Sequence, residues 1–346
     1  MGKKMKAAIL YKPGDVRIEK IDVPKIKADE VLVKIKAVGI CGSDVHYFKH
    51  GRIGDYIVEK PLILGHESAG EIVEIGEEVN DWRIGERVTI EPGVPCRKCK
   101  FCKEGRYNLC KDIVFMATPP VDGAFTEYIA YPADFIFKLP NSLSYEEGAM
   151  MEPLSVGVYS AKRGNICPGK TVAILGMGTI GLAVLQAARA FGASKIIVSD
   201  IEKLRLDFAR KFGADHTLNA VDVDIVKDIK KIAKRGVDVV IETAGAVTTC
   251  QQSISIVKRG GTVVLVGLAA ENEFNLDVSN IISKELDIKG IFRYANMYQT
   301  CIDLVTAKKI DVKAMISKYF ALDEALKALK YADENKAESI KTMISV

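Results

Sequence analysis

An α/β fold in two parts is predicted by three observations. Residues 1 to about 150 carry short apolar or alternating runs separated by turn dipeptides, the pattern of a β-rich domain. From Gly169 onward, apolar runs of strand length alternate with helical patterns, the signature of a doubly wound parallel sheet. The chain of 346 residues is also longer than one core comfortably supports.

In the first part, runs 7–11, 15–21, 30–40, 69–75 and 87–90 read as strands, punctuated by Pro13-Gly14 and Ile84-Gly85. Run 30–40 alternates Val31, Val33 and Ile35 with Lys34 and Lys36, so it should bury one face and deliver Cys41 to a loop. In the second part six strands are expected, at 171–175, 195–199, 216–218, 237–242, 262–266 and 286–291. The tail returns to helix, and its last apolar run, 342–346, can pair back onto the first part. This divides the chain into a domain of 1–152 with 292–346 and a domain of 153–291.

Hydrophobic residues make up 48% of the chain, as in an ordinary globular protein. The 49 Lys and Arg against 45 Asp and Glu are scattered along the sequence, which gives no reason to expect a nucleic-acid partner. Run 7–10 is too short for a signal-peptide core and no run reaches the roughly 18 apolar residues of a spanning helix, so no membrane partner and a cytoplasmic location are expected. In that compartment the eight cysteines stay reduced, which favours metal binding or redox chemistry over disulfides.

Cys96, Cys99, Cys102 and Cys110 form Cys-x2-Cys-x2-Cys-x7-Cys. Two-residue spacings let thiolates converge on one ion, and four soft ligands suit a closed tetrahedral structural zinc. An iron–sulfur cluster is the rival, but the fourth Cys lies too far along and no proline follows it.

Gly176, Gly178 and Gly181 form Gly-x-Gly-x-x-Gly after an expected strand and before an apolar-periodic helix at 182–191. The pattern is weak alone; in this setting it reads as a Rossmann turn that brings backbone amides and a helix N-terminus to a pyrophosphate. Asp200 follows at the spacing of a ribose-binding carboxylate and should repel a 2′-phosphate, which favours NAD over NADP. Arg205 nearby would attract phosphate, but a free Asp200 outweighs it.

Residues 41–47 put a thiol, a hydroxyl, a carboxylate, an imidazole and a phenol together. A single Cys at a strand end is ordinarily a small buried hydrophobe. Likewise a lone His66, Glu67 or Glu152 is ordinarily a paired polar group. Together they supply a Cys, a His and a carboxylate, enough for a zinc with an open position.

The combination of Cys-Gly-Ser-Asp-x-His, Gly-His-Glu, the four-cysteine lobe and the glycine fingerprint resembles the zinc-dependent medium-chain dehydrogenase/reductase family over nearly the whole chain. It is most similar to its sorbitol (L-iditol) and other polyol dehydrogenases, through His46-Tyr47, Gly51 to Gly54 and the stretches 115–120, 152–157 and 287–294. The resemblance implies a GroES-like catalytic domain beside the Rossmann coenzyme domain. It implies a catalytic zinc at Cys41, His66 and Glu67, with Glu152 as the alternative carboxylate where alcohol dehydrogenases commonly present a second Cys. It implies proton transfer through Ser43 and His46, with Glu152 as a second route. Ile180, Val266, Gly267, Leu268, Phe292 and Arg293 are implied at the coenzyme, and Tyr47, Phe115, Glu152, Arg293 and Tyr294 at the substrate. The implied activity is hydride transfer between NAD and a polyol/ketose pair by a homotetramer or dimer. The alternatives are a hexitol-phosphate or L-threonine enzyme, for which only Arg293 is an obvious extra cation, and a catalytically inactive protein that keeps the fold.

Overall fold

The computed structural model describes residues 2–268 and 273–346. It divides into two compact units. The first comprises Met1–Glu152, Tyr298–Thr306 and Val312–Val346, and the second Pro153–Met297 and Ala307–Asp311.

The strand Glu30–Gly39 is the hub of the first unit. Val31, Val33 and Ile35 are fully buried while Lys34 and Lys36 reach partway to solvent, as the alternation predicts. It pairs antiparallel with Glu67–Ile75 on one side and with Lys341–Ser345 on the other, and Tyr128–Pro132 joins its first half. The sheet continues through Arg87–Ile90 and Ile136–Lys138 at one end and Ile316–Ala321 at the other. The last apolar run thus does return to the first part of the chain. Strands Tyr128–Pro132 and Ile136–Lys138 carry no expectation from the sequence, because their residues alternate too briefly to be distinguished from loop.

Residues 42–50 differ from expectation: they form the helix Gly42–His50 and not a loop. Cys41 sits in extended conformation just ahead of it and donates its amide to Asp44 Oδ2 at 2.9 Å, so the first-turn acid closes the helix start. Gly51 ends it at φ 68°, a left-handed value that glycine adopts readily, with its amide on Tyr47 O.

The second unit contains six parallel strands in the spatial order His216–Asn219, Lys195–Asp200, Thr171–Leu175, Val237–Glu242, Val257–Leu265 and Asp287–Gly290. All six expected runs are strands; the fifth begins five residues early, at Val257. The chain leaves the first strand in one direction and returns on its other side, which makes the end of Thr171–Leu175 the switch point where doubly wound sheets bind ligands. Val172 to Leu175 are fully buried, and the helix Thr179–Ala190 follows them. Among the described residues no helix is long and apolar enough to cross a membrane.

Candidate active site and metal centres

Sheet register assembles the first site. Gly39 is paired with both Glu67 and Met343, so continuing the strand by two residues sets Cys41 beside the start of one neighbour and near Lys341 on the other. Gly39 has to lack a side chain, because a Cβ there would run into the Glu67 carboxylate. Cys41 Sγ, an imidazole nitrogen of His66 and a carboxylate oxygen of Glu67 all lie within 4.8 Å of one another, with His66 and Glu67 buried. Glu152 is also buried, in the same unit, but stands outside this trio.

The electrostatics favour a cation there. Burial alone would lower the pKa of His66, yet Asp44, Cys41 and Glu152 outweigh it and raise it to about 10. Asp44 is fully buried; desolvation raises its pKa, against the pull of His66 and of two amides. Its oxygens accept from the amides of Cys41 and Gly65, both at 2.9 Å, and Oδ1 lies 3.8 Å from His66 Nδ1. Asp44 therefore fixes the two backbone segments that carry Cys41 and His66. The donors, one soft sulfur, one imidazole and one carboxylate, suit zinc with an open position.

The four-cysteine lobe passes a separate test. Cys96 and Cys102 sulfurs are 3.9 Å apart and those of Cys99 and Cys102 3.4 Å. With Zn–S near 2.3 Å, the edge of a tetrahedral site is about 3.8 Å, so the thiols already approximate the corners. The amides of Lys98 and Cys99 pull Cys96 down to about 6, while burial and then the neighbouring thiols push Cys102 up to about 12. Four crowded thiols resist ionising together unless a dication joins them.

In the second unit the three glycines do different jobs. Gly176 turns at φ 97°, and a Cβ on it would strike the Ala244 backbone. A Cβ on Gly178 would meet nothing within 4 Å, which leaves an open cradle at the helix start for a ligand to approach the backbone. A Cβ on Gly181 would strike Gly176 O, so this residue packs the helix against the turn. The loop fits a dinucleotide pyrophosphate. Asp200 is engaged, and not free as expected: its oxygens accept from the amides of Met177 at 2.6 Å and Glu202 at 2.8 Å, and Arg205 Nη1 is 3.7 Å away.

Two domain models match the chain: the alcohol dehydrogenase GroES-like domain over residues 27–141 and the zinc-binding dehydrogenase over 179–307. The chain is 50% identical over 341 residues to the sorbitol dehydrogenase of Bacillus subtilis (strain 168), covering 98% of this chain and 97% of that one. It is 42% identical to the D-xylulose reductase of Saccharomyces cerevisiae, with the same coverage of both. A solved oxidoreductase/dehydrogenase of unknown specificity from Escherichia coli superposes with a TM-score of 0.96 at 38% identity over 99% of both chains. The chain belongs to the zinc-binding dehydrogenase family.

Within this dehydrogenase the remaining expected residues fall in distinct surroundings. On the helix Gly42–His50, Ser43 is half-buried and His46 exposed, its ring 4.7 Å from that of His50; burial and then His50 lower the His46 pKa. Tyr47 is 3% exposed and belongs to the core of its unit. Phe115 stands 5.7 Å from the His66 ring. In the coenzyme unit Ile180 and Arg205 are half-buried on the elements after the glycine loop and Asp200. Val266 and Gly267 donate their amides to Glu242 O, and Leu268 is exposed. Phe292 is exposed and stacks under the Arg293 guanidinium at 4.7 Å; Arg293 itself has φ 54°, and Tyr294 is buried.

Sequence reasoning missed Lys341. Its Nζ donates to both oxygens of Glu67 at 2.7 Å and to Ile40 O at 3.0 Å, and the side chain is buried. The available signal was a lysine opening an otherwise apolar strand. Only the strand pairing assigns it a partner.

Proposed function

We propose that this dehydrogenase transfers hydride between NAD and a polyol/ketose pair of the sorbitol or xylitol type. The observation that carries the reading is the Cys41, His66 and Glu67 cluster, whose single thiolate and carboxylate make a harder site than two thiolates would and so suit a hydroxyl-rich substrate. The names of the two relatives, a sorbitol dehydrogenase and a D-xylulose reductase, support the same substrate class.

A bound zinc supplies Lewis acidity toward a substrate hydroxyl or carbonyl, and the nicotinamide supplies the hydride carrier. Cys41, His66 and one of Glu67 and Glu152 would hold the ion; Cys96, Cys99, Cys102 and Cys110 would hold a second, structural one. Asp44 keeps the two ligand-bearing segments in place through their amides. Ser43 and His46 serve as the proton route outward, and a His46 held neutral by its lowered pKa can accept a proton near pH 7. Glu152 offers the second route. Phe115, beside His66, shapes the apolar side of the pocket, and Arg293 and Tyr294 are assigned to substrate hydroxyls. Gly176, Gly178 and Gly181 receive the pyrophosphate, and the charge of Asp200 disfavours a 2′-phosphate. A cytoplasmic homo-oligomer completes the reading. The outermost strand Asp287–Gly290 supports it, with Ile288 exposed and only Val257–Leu265 as a sheet neighbour among the described residues.

The test is metal content per chain together with NAD reduction across sorbitol, xylitol, ribitol, L-threonine and simple alcohols. Two zinc ions and turnover of polyols are expected. Activity confined to monohydric alcohols or to threonine would refute the substrate class.

A further inference from the structure

At the end of the parallel sheet away from the glycine loop, the second unit holds a cavity of about 560 Å³. Lys230, Lys234, Arg235, Lys258, Arg259 and Lys284 line it, and no acidic side chain does. These cations look scattered in the sequence; the fold gathers them. The cavity opens where the strands Val237–Glu242 and Val257–Leu265 begin, whereas the glycine loop follows the far end of Thr171–Leu175, so a strand length of about 15–20 Å separates the two places.

The walls are constructed, and they carry positive charge. Gly236 turns at φ 86° so tightly against the neighbouring strand that a Cβ would come within 2.7 Å of Ile256 O and 2.8 Å of Lys258 N. Lys284 Nζ donates to the carbonyls of Ile254, Ser255 and Val257 at 2.9, 3.3 and 3.0 Å, covering the acceptors at the C-terminal end of the helix Val247–Ile256. Arg259 Nη1 covers Ser283 O in the same way. Lys258 pairs with Asp238, but the other five cations have no carboxylate within 4.0 Å among the described residues. The contrast is sharpest on the helix Ile225–Ile232, where Lys227 and Lys231 pair with Asp224 and Asp228 while Lys230 faces the cavity without an acid. Like charges crowd as a result: burial, then Lys230 and Arg259, lower the pKa of Lys284.

We propose that this cavity binds the phosphate chain of a small polyphosphorylated molecule, at a site separate from the coenzyme's. The fork of Arg235 matches phosphate oxygens bidentately, Lys230 and Lys234 add mobile point charges, and Lys284 and Arg259, anchored on carbonyls, add fixed positive charge. A monoanion leaves most of the five unpaired cations unbalanced, whereas a triphosphate neutralises most of them. The volume falls in the range of small-ligand pockets.

The test is calorimetric titration of the full-length, zinc-loaded protein with sodium tripolyphosphate and with ATP, at constant ionic strength and without divalent cations. Saturable binding that persists with NAD present is expected. The triple variant Lys230→Ala, Lys234→Ala, Arg235→Ala, in which all three side chains are exposed and folding is not at risk, should weaken it about tenfold or more while NAD affinity changes less than about twofold. Tighter binding of ATP than of tripolyphosphate assigns a nucleoside polyphosphate, and the reverse order an inorganic chain; either keeps the site. Absence of saturable binding, displacement by NAD, an unaffected triple variant, or binding of an oligonucleotide without tripolyphosphate overturns it.

Discussion

Lys341 and Glu67 form a fully buried ion pair in which one ammonium lies 2.7 Å from both carboxylate oxygens. The carboxylate ranked first as a metal ligand is therefore already charge-balanced by the protein. With Lys341 beside Glu67, an ion held there with Cys41 would sit in a less negative site than thiolate and carboxylate alone would make, and so would pull harder on a substrate oxygen.

Replacing Lys341 with Met strands the Glu67 charge in the interior. Breaking a buried pair by removing one partner costs about 3–5 kcal/mol, which urea unfolding of the metal-free variant should show. Burial opposes the Lys341 charge, but Glu67 and Cys41 more than offset it and raise its pKa above the ordinary value. A raised folded pKa means that the pair's contribution is complete below about pH 10.4 and fades as pH rises through the folded value. A loss below about 1 kcal/mol at neutral pH would defeat the claim, since that is the size of an exposed pair.

Cys41→Ser should abolish turnover and remove one zinc per chain while leaving the other, as read by metal analysis of the purified protein. Cys102→Ser should lose the opposite ion and lower the unfolding temperature of its unit. If the two variants lose the same ion, the division into a reactive and a structural metal is wrong.

Because His66 in the metal-free protein titrates near 10, a metal arriving at pH 8 displaces a proton from it. Zinc affinity at this site should therefore climb with pH between about 6.5 and 10. Calorimetry at pH 8 in buffers of different ionisation enthalpy should record a proton released from His66 on zinc binding. The imidazolium's contribution to metal-free stability is complete below about pH 6.5 and is lost as pH rises through 10, the raised-pKa case. A zinc affinity that stays flat between about pH 6.5 and 10 would contradict the cluster's electrostatics.

Asp200→Ala should raise the ratio of NADP to NAD use by about tenfold or more, because Arg205 then faces a 2′-phosphate unopposed. Since the carboxylate also accepts from Met177 and Glu202, the KM for NAD should rise as well. An unchanged coenzyme ratio, measured by steady-state kinetics, would remove Asp200 from selectivity.

The four inner parallel strands were legible because buried strands read as unbroken apolar runs, such as Val172 to Leu175, whereas the edge strands His216–Asn219 and Asp287–Gly290 were legible only from the alternation of strand and helix patterns around them. The candidate metal cluster was legible as residue types, Cys41, His66 and Glu67, and the cysteine lobe by spacing alone. The helix Gly42–His50 was not, because a short segment opening Gly-Ser-Asp carries loop chemistry and its stability comes from Asp44 closing onto Cys41. Lys341 and the cationic cavity were hidden for a different reason: their partners are brought together by sheet register and by turns such as Gly236, which local patterns do not encode.

The strand Lys341–Ser345 also imposes an order in time. A ribosome makes Glu67 274 residues before Lys341, an interval of roughly ten seconds to a minute at ordinary elongation rates. Throughout that interval the nascent chain has Cys41, His66 and Glu67 but not the ammonium that balances them, and the central strand Glu30–Gly39 has one open edge beside them. The second unit, drawn mostly from one continuous stretch, can close first. Charge balance at the Cys41, His66 and Glu67 cluster therefore waits for a strand made long after its other members.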